Sequence, residues 1–101
     1  MADGADLPEP LPQYLQHLQV ERRLAARTCA NYEQALHRLA RLAAAQGVAL
    51  TAAQPHHVRG WAAQAHREGL APRSLALMLA AWRGLYRWWG EQGVVSSNPV
   101  V

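Results

Sequence analysis

The sequence predicts an all-α domain of four helices joined by short connections. Apolar residues recur at helical spacing, most clearly at Val58, Trp61, Ala62 and Ala65, and no segment alternates between apolar and polar residues as a strand does. Prolines and glycines stand where the later helical segments are expected to begin and end. The 101 residues suffice for one hydrophobic core but not for two.

The first two helices are placed by their apolar spacing. The first is expected over about Leu11–Leu24, with Pro12 in its first turn, where a missing N–H costs no hydrogen bond. Residues 25–26, both alanine, are expected to form a short break. The second and longest helix is predicted over about Arg27–Gln46, because Gly47 is a favourable residue just beyond a helix end.

The last two helices carry clearer boundary signals. Residues 48–54 are expected to form a loop, after which Pro55 opens a third helix that closes at Gly69. The fourth helix is predicted from Pro72 to about Gln92, just before a further glycine. Together these signals predict four helices with connections of only a few residues.

Three segments of different character follow one another along the chain. Residues 1–10 contain three acids, two prolines and a glycine, and they are expected to form a disordered lead-in. Residues 11–95 are expected to form the helical domain. Residues 96–101 include Asn98-Pro99, which disfavours helix, and we expect them to begin a linker to a further domain.

The composition excludes several functional classes. No apolar run approaches the length of a membrane span, no signal peptide is recognisable, and Cys29 alone cannot form an internal disulfide. Adjacent His56 and His57 would lie on different faces of a helix, so no metal site is expected. No nucleophile stands beside a credible base, so we expect no catalysis by this segment itself. The prediction is a soluble intracellular domain with a net charge of +3.

All ten basic residues are arginine, and lysine is absent. Arginine presents a planar set of donors that binds phosphate through two hydrogen bonds, which suits a nucleic-acid surface. A GC-rich genome is the alternative explanation for the choice of arginine over lysine. That explanation does not account for where the arginines lie.

The second helix has a basic polar face. At about 100° per residue, its arginine and amide side chains fall within a sector of about 80°: Arg27, Asn31, Gln34, Arg38 and Arg41. The only acid of this helix, Glu33, lies outside that sector, and Cys29, Tyr32, Leu36 and Leu39 lie on the opposite, core-facing side.

The fourth helix repeats this arrangement. Arg73, Arg83 and Arg87 lie opposite its apolar face, together with small residues such as Gly84 that would let the helix approach another surface closely. Ser74, in the first turn, adds a hydroxyl beside free backbone N–H groups, as at sites that hold phosphate.

Two interpretations of these faces remain open on the residues alone. Two basic faces with few acids favour a surface for nucleic acid, in which arginines and amides contact base edges and phosphates. The alternative is two amphipathic helices with ordinary solvated faces. Trp88 is left outside the apolar stripe, and we expect it to be exposed as a domain or subunit contact rather than a platform for bases.

Two stretches of the sequence resemble tyrosine site-specific recombinases. They are LPQYLQHLQVERRLAARTCANYEQALHRLARLAAAQG and GLAPRSLALMLAAWRGLYRWWGEQGVVSSNP, which together cover most of the chain from Leu11 to Pro99. The resemblance is to the N-terminal core-binding domain of Xer-type recombinases, and it is closer to the XerC branch than to the XerD branch.

The resemblance implies a SAM-like, four-helix orthogonal bundle that forms one jaw of a clamp around duplex DNA. In the family a catalytic domain follows, and it exchanges DNA strands through a phosphotyrosyl intermediate without metal, nucleotide or other cofactor. The implied partners are a recombination half-site in double-stranded DNA and, for the full-length protein, a partner recombinase and a DNA translocase. No membrane or small-molecule substrate is implied, and the implied location is the bacterial cytoplasm.

The resemblance also implies which residues contact DNA. The family uses its second and fourth helices, which match the two basic faces described above, and Arg27, Arg41 and Arg87 are added here from the helical wheel alone. The predicted set is Arg27, Thr28, Asn31, Gln34, Arg38, Arg41, Arg73, Ser74, Leu77, Arg83 and Arg87. The competing hypothesis is a helical protein–protein interaction module without DNA binding, and a helix-turn-helix regulator is a weaker third.

Overall fold

The computed structural model describes residues 11–100, which form four α-helices and one short 3₁₀ helix. The elements are α1 (Leu11–Val20), α2 (Ala26–Ala45), the 3₁₀ helix (Leu50–Ala52), α3 (Pro55–Arg67) and α4 (Pro72–Glu91). No strand occurs within this range, so the predicted all-α class is confirmed. The predicted lead-in, residues 1–10, lies outside the described residues.

The first helix ends four residues earlier than predicted. It was expected to reach Leu24 but stops at Val20, because Arg23 adopts a left-handed backbone conformation with φ of 52°. The backbone N–H of Leu24 then donates to the carbonyl of Leu18 across the turn, at 3.1 Å. This turn could not be predicted from the residue type, since glycine is the usual residue at such a position.

We expect Arg23→Gly to raise the free energy of unfolding by up to about 1 kcal/mol. A left-handed conformation costs a non-glycine residue about 1 to 2 kcal/mol, and glycine's greater freedom in the unfolded chain returns part of that gain. Urea unfolding followed by circular dichroism would measure the difference. Arg22→Gly is the matched control and should lower stability, because Arg22 has no positive φ. A loss of stability in Arg23→Gly would contradict this account of the turn.

The core lies mainly between α2 and α4, with α3 closing one side. Trp82 of α4 is fully buried, and its indole N–H donates to the backbone carbonyl of Ala35 in α2 at 2.7 Å. Trp61 of α3 meets the Trp82 ring edge-on, with ring centres 6.5 Å apart. Trp82 of α4 therefore contacts both α2 and α3.

The α1 helix packs onto α4 through Tyr14. A Cβ atom at Gly84 would lie 2.6 Å from the Tyr14 hydroxyl, so only glycine leaves room for this ring. Burial raises the pKa of Tyr14 to about 12. Gly84 was predicted to let α4 approach an external surface. That interpretation is wrong, because α1 of the same chain occupies the space.

Trp88 also packs against α1. Its ring centre lies 5.3 Å from that of Tyr14 and 5.7 Å from that of His17, and the side chain is half-buried. The expectation that Trp88 is exposed is therefore wrong, while its role as a domain or subunit contact stays a prediction. Its position at the edge of the apolar stripe of α4 is explained by a neighbouring helix within the domain.

The residues after α4 return to the surface of that helix. The Asn98 side chain donates to the backbone carbonyl of Arg83 at 3.1 Å and accepts from the N–H of Val100 at 3.0 Å. Val100 is only 5% exposed. Asn98 and Val100 therefore pack against the helical domain, while the domain boundary between residues 95 and 96 stays a prediction.

Candidate nucleic-acid interface

A groove of about 730 Å³ separates the polar faces of α2 and α4. A hydrogen bond from Trp82 of α4 to the backbone carbonyl of Ala35 holds the two helices together, and Ala35 also lines the groove. Predicted residues from both helices line this groove: Asn31, Gln34, Arg38, Arg41, Ser74 and Leu77.

The groove has an apolar floor and polar walls. Ala35 and Met78 are buried and line its base, whereas Gln34 and Arg41 are exposed on the α2 side. On the α4 side, Leu77 is 39% exposed, which is unusual for a large apolar side chain in this domain. A ligand in the groove would meet guanidinium, amide, hydroxyl and apolar groups at once.

The remaining predicted residues lie outside the groove lining. Two of them, Arg27 and Arg73, are exposed in the first turns of α2 and α4, and Arg87 is exposed on the side of α4 near Tyr14. Thr28 and Arg83 are half-buried. The role of each of these five residues in binding stays a prediction.

The first turn of α4 contributes backbone donors at one end of the groove. Its N-cap residue, Ala71, supplies no side-chain cap, and Pro72 has no N–H. The N–H groups of Arg73 and Ser74 therefore lack the helical partners that later residues have. This geometry is compatible with the predicted phosphate contact beside Ser74.

An acid from α3 enters the basic face of α2. The carboxylate of Glu68, the C-cap residue of α3, accepts a hydrogen bond from the Arg38 guanidinium at 2.8 Å and lies 4.0 Å from that of Arg41. Gln64 donates to its second oxygen at 3.1 Å. The hydrogen bond from Gln64, followed by the hydrogen bond and charge of Arg38, lowers the pKa of Glu68 below its usual value.

Glu68 was not predicted to lie at the basic face of α2. A helical wheel compares residues of one helix only, and it therefore gave the basic face of α2 no acid. The relevant residue is thirty positions away from Arg38 and reaches it through tertiary packing. A count of charges along the sequence includes Glu68 but does not show that it pairs with Arg38.

Comparison with known proteins identifies the family of this domain. The family model described as the phage integrase N-terminal SAM-like domain matches residues 11–93. The chain belongs to this family. The match spans all four helices, so it confirms both the SAM-like fold and the resemblance to recombinases.

The curated relatives of this SAM-like domain are tyrosine recombinases. It is 42% identical to tyrosine recombinase XerC 1 of Ralstonia nicotianae, over 97% of this chain and 32% of that protein. It is 42% identical to XerC of Ralstonia pickettii, over 96% of this chain and 31% of the relative. It is 36% identical to XerC of Proteus mirabilis, over 98% of this chain and 34% of that protein.

The SAM-like domain spans about a third of the length of these relatives. A search of solved structures found no significant match. Within residues 11–100, no helix is both long and apolar enough to cross a membrane. The same part of the chain holds no cluster of three or more His, Cys, Asp or Glu side chains suited to a metal ion.

Proposed function

We propose that the SAM-like domain binds double-stranded DNA through the groove between α2 and α4. The observation that carries this proposal is that one groove brings arginine and amide side chains of α2 together with the Ser74 hydroxyl and the exposed Leu77 of α4. Predicted contact residues on separate helices need not meet in a fold, and here part of each set lines the same groove. The tyrosine recombinase relatives support the same function.

The groove chemistry fits the major-groove edges of base pairs. Asn31 and Gln34 can each donate to and accept from an adenine edge, and the guanidinium of Arg41 can pair with guanine or with a phosphate. Leu77, exposed on the opposite wall, suits contact with a thymine methyl group. Ser74 and the first-turn N–H groups of α4 would hold the phosphate backbone.

The proposal extends to the protein that contains this domain. We infer a Xer-type tyrosine recombinase in which this domain holds a recombination half-site and a catalytic domain exchanges strands through a phosphotyrosyl intermediate. The inferred partners are a second recombinase and a DNA translocase, and the inferred location is the bacterial cytoplasm. The names of the curated relatives support the recombinase assignment.

The test is the affinity for a labelled duplex, measured by fluorescence anisotropy between about 50 and 200 mM salt. Wild-type affinity should fall linearly in a log–log plot. Arg41→Gln should weaken binding several-fold at the low-salt end and reduce the slope by about one, because one phosphate contact is lost. Arg41 is 64% exposed, so the substitution should leave the fold intact.

Arg59→Gln is the matched control, since Arg59 is exposed on α3 and lies outside the groove lining. It should leave the affinity and the salt slope close to wild type. Equal losses in the two variants would show that general charge, and not the groove, governs binding. Absence of wild-type binding at low salt would contradict the proposal and favour the protein-interaction module.

A further inference from the structure

Glu68 occupies a position that its own helix does not favour. It is the C-cap residue of α3, and a negative charge there opposes the helix dipole. Its side chain is 43% exposed, so burial does not force it toward the groove. Two hydrogen bonds hold it there, one of 2.8 Å from Arg38, a residue of the groove lining, and one of 3.1 Å from Gln64 of its own helix.

The Arg38 guanidinium is consequently already paired in the unbound domain. Its side chain is 26% exposed, and one of its terminal nitrogens donates to the Glu68 carboxylate. A DNA phosphate approaching Arg38 would have to displace this carboxylate or bind the remaining N–H donors beside its negative charge. Arg41, 4.0 Å from the same carboxylate oxygen, would lose part of its attraction for phosphate as well.

We propose that Glu68 acts as a built-in competitor for phosphate that lowers the sequence-independent affinity of the groove for DNA. This inference rests on the proposed DNA-binding function. Its physical basis is that phosphate attraction does not distinguish sequences, whereas hydrogen bonds from Asn31 and Gln34 to base edges do. The negative charge of Glu68 weakens the attraction of Arg38 and Arg41 for phosphate. It does not change the hydrogen bonds that Asn31 and Gln34 can make to base edges.

The decisive variant is Glu68→Gln, which keeps an oxygen that can accept from Arg38 but removes the charge. Binding is measured against a labelled random-sequence duplex over the same salt range. We expect about three- to tenfold tighter binding at low salt, corresponding to an interaction of about 1 kcal/mol between charges at 4 Å. The log–log slope should steepen by about one, because a further phosphate contact forms.

Glu91→Gln is the control for the change in net charge. Glu91 is the last residue of α4, about 28 Å along that helix from its first turn beside the groove. At a screening length of about 10 Å in 0.1 M salt, its charge should barely affect the groove. A second control places Glu68→Gln in an Arg38→Gln background, where most of the gain should disappear because the released guanidinium is absent.

The possible results separate this inference from the proposed function. An unchanged salt slope in Glu68→Gln, an equal gain in Glu91→Gln, or a full gain without Arg38 would each overturn the competitor role while leaving DNA binding in place. Binding by Glu68→Gln at a salt concentration at which the wild type, bound at low salt, has already dissociated would support the competitor role. Failure of both proteins to bind at low salt would overturn the inference together with the proposed function.

Discussion

Trp82→Ala is expected to lower the free energy of unfolding by about 3 to 5 kcal/mol. Trp82 is fully buried, contacts Trp61 edge-on and donates to the carbonyl of Ala35. Alanine would leave a cavity at the junction of three helices and would remove the hydrogen bond from α4 to α2. A domain of this size typically has about 5 to 15 kcal/mol of stability, so a large share would be lost. Urea unfolding measures the loss.

Trp88→Ala is the matched control, with the same change in side-chain volume at a half-buried position. The substitution removes ring contacts with Tyr14 and His17, but the space it leaves is open to solvent. We therefore expect a smaller loss in the free energy of unfolding, about 1 to 2 kcal/mol. Equal losses in the two variants would contradict the central position given to Trp82.

Gly84→Ala is expected to destabilise the domain by up to about 2 kcal/mol, although alanine is the better helix former. Helix propensity favours alanine by about 1 kcal/mol, but its Cβ would lie 2.6 Å from the Tyr14 hydroxyl. Tyr14 is only 3% exposed and has little room to move, so the steric term of about 1 to 3 kcal/mol should exceed the gain. Thermal unfolding followed by circular dichroism would reveal the sign.

Two further variants test whether the contact with the Tyr14 hydroxyl causes the loss of stability in Gly84→Ala. Gly60→Ala introduces the same residue into α3, where no atom lies within 4 Å of the new Cβ, and should stabilise by about 0.5 to 1 kcal/mol. Tyr14→Phe removes the hydroxyl, and in that background Gly84→Ala should become neutral or stabilising. Stabilisation by Gly84→Ala in the otherwise unchanged protein would show that α1 yields readily at this contact.

The number and order of the helices could be predicted because each helix carries its own apolar stripe and boundary residues. Pro55 and Pro72 begin α3 and α4 as expected. The end of α1 could not be predicted, because Arg23 turns the chain in a conformation that its residue type does not indicate. Local patterns therefore predicted the helices but not the turn at Arg23.

The candidate site was predictable to the same degree. Part of the polar face of α2 and part of the first turns of α4 line the groove as a common surface, whereas Arg27, Thr28 and Arg73 lie outside it. Gly84 and Trp88 were misinterpreted because a helical wheel cannot show that α1 covers that side of α4. Glu68 was missed for the same reason, since its partner Arg38 lies on another helix.

The hydrogen bond between Trp82 and Ala35 also affects the entropy cost of binding in the groove between α2 and α4. A buried indole has few rotamers, so α2 and α4 are held at one separation before anything binds. The mobile parts of the groove are long exposed side chains such as Gln34 and Arg41. Binding would therefore cost mainly side-chain rotamer entropy rather than backbone entropy, and a duplex that does not match this fixed width would itself have to deform.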